Sequence, residues 1–585
     1  MSQLSVPALV APVMFYEKSP PTLRITQARS VADELAHALS EAGVRHAFGV
    51  IGGAIAPLAQ ALHQSPIELI HCRHESGAAF AAVEAHFASG RPAVVFTTTG
   101  PGLANAITGM AAARWEGAKV VLLSPVTVAH NRGRVAFQET QAFDVRGLVP
   151  DGALFDYSAL LDDPAALPGV IGALSRGLAR PGRFVAHVQV SISAQTASFP
   201  ATAQVHPQDV APLACAPAQL DRLVEQLSGR SFVLWLGAGA RRATEQVRRF
   251  AEVTSAPVMS SPRGKGVFPE NHPRYLGVTG LGGHAAVDEY LAAHPPDCVV
   301  VIGSRLGEMT SFWDRRMAPR ERLVHVDVDP SAFGVAYPDV PTTAVVADAG
   351  ELLDGLLLRA RGRLHSRAPA PSRSPFDAAP IARPSGPVRP DVLMAAIQRL
   401  LEERGERPVL AEAGNSFAWT THCLRFTEPV HRASTGFGSM GHATSGVLGA
   451  AIGAERKAIA VVGDGAMLMN NELSTAVEYG AQAVWIVLND GRYGMIEQGM
   501  RSVGMAPFST RLPRANFAEL ARAVGARGIE VKSETELDAA LVQAMEEPRP
   551  CVIDVDLAPD VLAPTRKRNA SLLDQGLALA GGGDS

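Results

Sequence analysis

The sequence is poor in cysteine and in excess charge of either sign, and each shortage argues against a class of protein. The five cysteines are Cys72, Cys215, Cys298, Cys423 and Cys551, and no two are spaced as metal ligands or a redox pair. So small and odd a number excludes a disulfide scaffold and indicates a reducing compartment. Lys plus Arg (53) nearly balances Asp plus Glu (57), which argues against nucleic-acid partners and a polybasic membrane surface.

Long apolar runs are also missing. No stretch reaches the roughly 18 apolar residues that a membrane helix needs. The N-terminal VPALVAPVMF is apolar but short, and it has neither a preceding basic region nor a clear cleavage site, so we do not expect a signal peptide. We therefore predict a cytoplasmic protein without a membrane partner.

What the sequence does contain is a repeated alternation of apolar strands and helical segments. Runs such as AVVFTT (93–98) and KVVLLS (119–124) are apolar throughout, as expected when both faces of a sheet are buried. The alternation predicts an α/β protein with three consecutive, doubly wound parallel-sheet domains. Composition divides the chain into an arm (1–25), a first domain (26–195), a linker (196–219), a central domain (220–360), a second linker (361–389), a third domain (390–562) and a tail (563–585). We expect the tail, basic and then Gly-rich, to be mobile until a contact orders it.

Two Asp-Gly turns stand out in the third domain. In AVVGDGAMLMNNELSTAVEYGAQAVWIVLNDGRYGMIEQ (460–498), Asp464 and Asp490 each follow an apolar run, and a helical pattern joins them. Ligands of parallel sheets bind at the carboxyl ends of strands. Two carboxylates facing one crevice repel each other unless a cation lies between them, and a divalent ion bridging to a diphosphate meets that need. Each turn alone is explained by loop formation, whereas the pair favours a metal–diphosphate site.

The spacing from GDG to the second turn resembles the thiamine diphosphate-binding motif. Over about residues 25–560 the chain resembles thiamine diphosphate-dependent 2-oxo acid enzymes, in particular the acetohydroxyacid (acetolactate) synthase branch. The resemblance implies that the first domain binds the pyrimidine and the third the diphosphate, and that Asp464, Asp490 and the main-chain carbonyl of Arg492 hold Mg²⁺. Two features depart from the family: Asp490 replaces an Asn, and AMLMNNELSTA is one residue short. Because Asp also ligates hard cations, we expect metal binding to survive.

A second stretch, STGFGSMGHATSGVLGA (434–450), resembles the family segment that holds the middle of the cofactor. There Gly438 would offer its carbonyl to the aminopyrimidine, and Met440 would hold the cofactor bent, although a Met in such a loop is otherwise core filler. The other cofactor-binding positions that the resemblance implies are Gly414, Asn415, Ser439, Gly463, Gly465, Ala466 and Met495.

The first domain supplies the candidate catalytic residue. RHESGAAFAAVEAHF (73–87) places Glu75 in the first turn of a predicted helix, where a Glu is commonly explained by the helix dipole. The stretch resembles the family segment with the cofactor-activating glutamate, so the resemblance implies that Glu75 is catalytic. A buried carboxyl hydrogen-bonded to the pyrimidine ring favours the tautomer that deprotonates the cofactor. We interpret the adjacent His74 as structural.

Three further motifs bear on the substrate. TTTGPGLANAITG (97–109) and RVAFQETQAFD (134–144) resemble segments that line the family's site, which puts Phe137 and Gln138 on the substrate side. The family motif Gly-Met-Val-x-Gln-Trp, whose Trp selects the acceptor, appears here as GMIEQG, with Ile496 and, at the Trp position, Gly499. A missing indole opens space for a larger acceptor. We therefore predict a carboligase that decarboxylates a 2-oxo acid such as pyruvate and transfers the acyl carbanion to a bulkier carbonyl or enone.

Other readings stay open: acetolactate synthase proper, a simple 2-oxo acid decarboxylase and, less favoured, a non-catalytic cofactor-binding subunit. The resemblance implies sites between the first domain of one chain and the third domain of another, so we expect a homodimer or homotetramer. FAD, which synthase relatives bind in the central domain, is possible but not favoured. VLWLGAGARR (233–242) lacks a full G-x-G-x-x-G, and GSRLGEMTSFWDRR (303–316) departs from the flavin-contacting pattern.

Overall fold

Three six-stranded sheets form the body of the molecule, and every strand pair within them is parallel. The computed structural model describes residues 29–139, 154–199, 210–360, 362–469 and 471–575. The predicted α/β class with three consecutive doubly wound sheets is confirmed. The predicted arm, residues 140–144 of the segment 134–144, residues 200–209 of the first linker and the end of the tail lie outside the described residues.

The first sheet buries apolar strands on both faces. Its strands lie in the order Glu68–His71, His46–Gly49, Ala93–Phe96, Lys119–Val126, Phe184–Ser191 and Tyr157–Leu161. Its helices are Val31–Glu41, Ala56–Gln64, Glu75–Ser89, Pro101–Glu116, Leu167–Ala179 and Ile192–Thr196. A short antiparallel ribbon pairs Arg29–Ser30 with Ser198–Phe199. The first helix begins at Val31 because the Ser30 and Asp33 side chains accept each other's backbone N–H in a capping box.

The central sheet has a different order, 3-2-1-4-5-6 in chain numbering. Its strands lie in the order Tyr275–Val278, Val258–Ser260, Phe232–Leu236, Cys298–Ile302, Arg322–Asp327 and Thr342–Val346. Its helices are Pro217–Leu227, Thr244–Thr254, Ala285–Ala293, Glu308–Ser311 and Ala349–Ala360. The first of these begins inside the segment predicted as a linker, because Pro at the first helical position needs no hydrogen-bond partner for its nitrogen.

The third sheet repeats the order of the first, 2-1-3-4-6-5 in chain numbering. Its strands lie in the order His431–Ala433, Val409–Ala411, Ala458–Gly463, Ala483–Asn489, Cys551–Asp556 and Arg527–Val531. Its helices are Pro390–Arg404, Asn415–Cys423, His442–Ala454, Asp464–Met467, Leu473–Glu478, Gly494–Ser502, Phe517–Ala523, Leu537–Glu546 and Arg566–Asp574. Successive strands are added to opposite sides of the sheet on either side of the boundary between Val409–Ala411 and Ala458–Gly463, and this switch point opens a crevice at the carboxyl ends of these two parallel strands.

One expectation about this domain is wrong. The single helix predicted between the Asp-Gly turns is two short helices, because Glu472 adopts the left-handed conformation (φ 50°) between them. In the tail, which we expect to be mobile until a contact orders it, Arg566–Asp574 is a helix that contacts the central and third domains. We call Arg566–Asp574 the C-terminal helix. In the described ranges, no helix combines the length and apolarity needed to cross a bilayer.

The first and third domains are joined by two closely packed helices, Glu75–Ser89 and His442–Ala454, which we call the Glu75 helix and the His442 helix. A Cβ at Gly449 would overlap the carbonyl oxygen of Ala81, so only glycine permits this approach. Glu84 accepts hydrogen bonds from Arg432 Nε (2.9 Å) and Nη2 (2.8 Å) and lies 2.8 Å from His442 Nε2. Burial raises the pKa of the Glu84 carboxyl, but the charge of Arg432 outweighs it and holds that pKa well below its usual range.

The central and third domains are joined through His284. Its Nδ1 accepts a hydrogen bond from the Val278 N–H (3.1 Å), and its Nε2 lies 2.8 Å from the His422 carbonyl oxygen. These partners require a neutral ring with its proton on Nε2. Burial, and then the charge of Lys265, lower the pKa of His284 to about 3.

We predict that acid weakens the fold in part through His284. Its pKa is lower in the folded than in the unfolded chain, so the unfolded chain binds the extra proton first, and stability falls as pH drops from about 6.5 towards 3. His284→Gln should flatten the pH dependence of the urea midpoint between pH 6.5 and 4. The same substitution at exposed His37 is the control. An unchanged slope in the His284 variant would contradict the prediction.

Candidate active site at the edge of the third sheet

The two Asp-Gly turns meet at the carboxyl edge of the third sheet. Asp464 follows strand Ala458–Gly463, and Asp490 follows the adjacent parallel strand Ala483–Asn489. Asp464 Oδ1 accepts from its neighbour Gly465 N–H (2.7 Å), and Oδ2 accepts from Gly491 N–H in the other turn (2.8 Å). The first carboxylate therefore ties the two turns together.

The second carboxylate lies in the field of the first. Burial, and then the charge of Asp464, raise the pKa of Asp490 to about 7, although the charge of Arg492 opposes them. The Arg492 guanidinium contacts two carboxylates: its Nε is 3.6 Å from Asp490 Oδ2, and its Nη1 is 3.3 Å from Glu497 Oε1. The site therefore holds two repelling carboxylates that a bound cation would stabilise.

The donors present fit Mg²⁺ held jointly by protein and phosphate. No group of three or more His, Cys, Asp or Glu that could hold a metal occurs among the described residues. Mg²⁺ commonly takes one or two carboxylates and completes its shell with phosphate oxygens and water. Asn415 adds an unsatisfied polar atom, because its Oδ1 is buried without a hydrogen-bond partner. A Cβ built on Gly494 would lie 3.0 Å from Asn415 Nδ2 and 3.4 Å from Asp490 Oδ2, so the amide and the carboxylate flank the same glycine.

Three of the predicted glycines face open space. A Cβ built on Gly414, Gly438 or Gly463 would meet no heavy atom within 4 Å. Gly414 has φ 121° and caps helix Asn415–Cys423, whose first N–H groups have no partner within the helix. Open space beside a helix N-terminus at the sheet's switch point suits a phosphate group.

The remaining predicted cofactor positions differ in their surroundings. Gly438 (φ 65°) donates its N–H to Ser434 Oγ (3.0 Å), and Met440 is half-buried just before the His442 helix. Ser439 Oγ donates to the Met440 carbonyl (3.2 Å). Gly465 must be glycine, because a Cβ there would lie 2.5 Å from Tyr493 Cε1. Ala466, by contrast, is buried in the short helix Asp464–Met467.

Glu75 is buried in the first turn of its helix, as predicted, with 7% of its surface exposed. Its Oε2 accepts a hydrogen bond from Asn105 Nδ2 (3.1 Å). A Cβ on Gly102 would lie 2.9 Å from Glu75 Oε1, so glycine leaves room for the carboxyl. His74 caps the helix by accepting from Ser76 N–H, which agrees with a structural role. Asn105 was missed, because nothing in its local pattern marks it.

Glu472 was also missed. Its carboxylate accepts the backbone N–H of Arg73 (2.9 Å) and of His74 (3.0 Å), and a Cβ on Gly77 would lie 2.5 Å from its Oε1. This acid, in the segment that follows the GDG turn, therefore holds the chain immediately before Glu75. The contact spans nearly 400 positions, so only the fold could reveal it.

The predicted substrate-side residues of the first domain lie at its glycine-rich loop. Thr99 Oγ1 is 3.4 Å from Gln138 Oε1, and a Cβ on Gly100 would lie 2.9 Å from the Gln138 carbonyl oxygen. Phe137 is 90% exposed. The structure thus brings the two predicted motifs together and leaves an aromatic ring free to contact another molecule.

The predicted acceptor residues share one helix, Gly494–Ser502, which we call the Gly494 helix. Met495 packs against the core of the third domain, whereas Ile496 is 47% exposed. Gly499 is buried, and a Cβ there would lie 3.3 Å from Arg568 Nη1 of the C-terminal helix. The space left by the missing side chain is therefore bounded by a guanidinium.

The glycines of the central domain are explained by close packing. Gly237 and Gly303 end the two strands at the switch point of that sheet, where a dinucleotide would bind. A Cβ on Gly237 would overlap the Gly303 carbonyl oxygen, and the Gly239 N–H donates to that oxygen (2.9 Å). Main chain therefore occupies the position of a phosphate loop. This accounts for the partial motif, and the expectation about FAD remains a prediction.

Comparison with known proteins agrees with this architecture. The descriptions that match are the N-terminal TPP binding domain of thiamine pyrophosphate enzymes at residues 29–145, their central domain at 220–356 and their C-terminal TPP binding domain at 412–555. IlvB2 of Mycobacterium tuberculosis, whose name assigns it to the acetolactate synthase large subunits, is 32% identical over 92% of this chain and 99% of the relative. The Haemophilus influenzae acetolactate synthase large subunit is 28% identical, and the match covers 88% of this chain and 92% of the relative. The acetolactate synthase isozyme 1 large subunit of Escherichia coli is 27% identical, and the match covers 90% of this chain and 93% of the relative.

Fold and site together define an enzyme that works through thiamine diphosphate and a divalent metal such as Mg²⁺. The chain belongs to the thiamine pyrophosphate enzymes and resembles their acetolactate synthase branch. The predicted family, enzyme class and cofactors are thereby confirmed.

The two carboxylates should differ in how they tolerate substitution. Asp464→Ala removes a ligand and the tie between the turns, so we expect Mg²⁺ affinity to fall by at least about tenfold, the scale of a lost supporting contact. Asp490→Asn keeps an oxygen ligand and removes the repulsion, so Mg²⁺ should still bind. Calorimetric titration of Mg²⁺ in the presence of thiamine diphosphate measures the Mg²⁺ affinity of both variants. Asp560→Ala, at an exposed position, is the control. Equal loss in the Asp464 and Asp490 variants would contradict this.

Proposed function

We propose that the protein is a carboligase, which decarboxylates pyruvate or a related 2-oxo acid and joins the acyl unit to a second carbonyl or enone compound. The observation that carries this proposal is the buried Glu75, fixed by Asn105 and tied through Glu472 to the segment after the metal-site turn. A non-catalytic subunit would have no need to preserve this arrangement. Acetolactate synthase proper is the second candidate, favoured by the names of the relatives.

We assign different roles in metal binding, diphosphate binding and proton transfer to different residues of the chain. Asp464, Asp490 and the Arg492 carbonyl hold the metal, the open glycines and Asn415 receive the diphosphate, and Glu75 holds or releases a proton at its carboxyl. When bound, thiamine diphosphate would supply a nucleophilic carbon for the 2-oxo acid carbonyl and a positively charged ring as the electron sink for loss of CO₂. Met440 and Met495 support the cofactor with apolar contact, which limits the access of water.

A homodimer completes the proposed site. Large apolar side chains are exposed around the carboxyl edge of the third sheet: Phe437, Leu468, Met469, Tyr493 and Ile496. Clustered exposed apolar groups at a site's rim are typical of an interface or a ligand groove. We propose that the first domain of a second copy covers this rim, with its exposed Phe137 and its Gln138 on the substrate side. Shielding from water favours ligation over protonation of the carbanion, and thus a carboligase over a simple decarboxylase.

Glu75→Gln tests the catalytic assignment. The amide keeps the size of the side chain but cannot exchange the proton, so we expect kcat to fall by about 10²–10⁴-fold, the usual contribution of general acid–base catalysis. Thiamine diphosphate affinity should change little. The assay mixes enzyme, Mg²⁺, thiamine diphosphate and pyruvate with a panel of acceptors and identifies the products by mass. Exposed Glu41→Gln is the control, and a loss below tenfold in the Glu75 variant would refute the assignment.

Gly499→Trp tests the acceptor pocket. An indole would fill the recess beside Arg568, so kcat/KM for bulky acceptors should fall at least tenfold more than for pyruvate as acceptor. Gly499→Ala adds only a Cβ, whose neighbour is the flexible end of Arg568, and it should have a smaller effect. Equal suppression of large and small acceptors by the Trp variant would refute an enlarged pocket and favour acetolactate synthase proper.

A further inference from the structure

The guanidinium of Arg492 lies between two carboxylates, of which only one is a proposed metal ligand. Its Nε is 3.6 Å from Asp490 Oδ2, and its Nη1 is 3.3 Å from Glu497 Oε1. The Arg492 side chain is only 12% exposed, so water and salt screen its charge weakly. A cation so close to a carboxylate competes with any other cation for that carboxylate. The Arg492 side chain therefore bears on how well Asp490 can hold a metal.

The hydrogen bonds of Arg492 favour Glu497 over Asp490. Arg492 Nη1 donates to Glu497 Oε1, whereas Nε is buried and has no hydrogen-bond partner among the residues that the structure describes. At 3.6 Å, Nε and Asp490 Oδ2 form an ion pair without a hydrogen bond. The guanidinium is thus hydrogen-bonded to one acid and only close to the other.

Glu497 is held in place by its surroundings. It lies on the Gly494 helix and is 5% exposed. Its Oε1 also accepts a hydrogen bond from Arg501 Nη2 (3.0 Å), and Thr510 Oγ1 donates to its Oε2 (3.4 Å). Asp464, Asp490 and Glu497 do not form a three-acid metal site, because no such group occurs in the described part of the chain. Glu497 is therefore a fixed partner of Arg492 rather than a third metal ligand.

We propose that Glu497 is a positioning residue for the metal site, because it binds the Arg492 guanidinium and so prevents this cation from replacing Mg²⁺ as the partner of Asp490. Arg492 then has two opposed effects: its main-chain carbonyl ligates the metal, while its side-chain charge opposes metal binding. Glu497 compensates that charge. This inference rests on the proposed ligands Asp490 and the Arg492 carbonyl, and it does not depend on which acceptor the enzyme uses.

The Mg²⁺ affinity of Glu497 variants tests this role. Full-length protein, freed of metal by a chelator and saturated with thiamine diphosphate, is titrated with Mg²⁺ in a calorimeter, and a titration of thiamine diphosphate alone is subtracted. Glu497→Gln leaves the guanidinium to pair with Asp490, so we expect the Kd for Mg²⁺ to rise about tenfold, the scale of a lost supporting contact. Glu497→Asp keeps the charge and should restore part of the affinity.

Arg492→Met separates this role from a structural one. The substitution keeps the main-chain carbonyl and removes the competing cation, so the Kd for Mg²⁺ should fall below that of the wild type. In the Arg492→Met background, Glu497→Gln should change the Kd by less than about twofold, because the cation that Glu497 compensates is gone. A glutamate that only supports the fold would weaken Mg²⁺ binding equally in both backgrounds.

Arg501→Met is the matched control. It removes an exposed cation that binds the same oxygen of Glu497, and it should leave the Kd for Mg²⁺ within about twofold of the wild type. An unchanged Kd in Glu497→Gln, an equal loss in both backgrounds, or weaker binding in Arg492→Met would each overturn the inference. If Asp464→Ala and Asp490→Ala also left the Kd unchanged, the proposed metal site itself would be wrong.

Discussion

The ion pair between Glu84 and Arg432 fixes how the first and third domains of one chain lie against each other, and the rest of the structure is built on that arrangement. Two hydrogen bonds of 2.9 and 2.8 Å join the side chains where the Glu75 helix crosses the His442 helix. Both groups are buried, and removing either would leave a charge without compensation. Close packing at Gly449 leaves no freedom for the helices to slide. The same helix that carries Glu84 begins at Glu75, so the pair that docks the domains also fixes the helix whose first turn holds the buried Glu75 carboxyl.

A second link acts at the other end of that helix. Glu472 accepts the two backbone N–H groups that precede Glu75, and it does so from a left-handed break between two short helices. The break therefore coincides with the contact that joins the segment after the Asp464-Gly465 turn to the Glu75 helix.

Local sequence patterns predicted most of the strands and helices. The positions of the remaining residues depend on contacts between segments that are distant in sequence. Asp464, Asp490 and Glu75 could be found because each follows an apolar strand, and strand ends are visible in sequence. Asn105, Glu472 and Arg568 could not, because their partners lie on other segments that only folding brings together. The C-terminal helix was missed for the same reason. Its basic sequence has little apolar periodicity, and its docking depends on Gln498, Asp288 and Glu308.

Gly499 illustrates how a substitution within a motif is understood only through its surroundings. Considered alone, glycine in place of an indole implies empty space and a larger substrate. In the fold, the nearest atom to a Cβ at Gly499 belongs to Arg568, a residue from the end of the chain. The space that the glycine leaves is therefore set by two helices together: the Gly494 helix, which carries the glycine, and the C-terminal helix, which supplies the nearest side chain. Because the two helices are far apart along the chain, the shape of this space cannot be read from the motif alone.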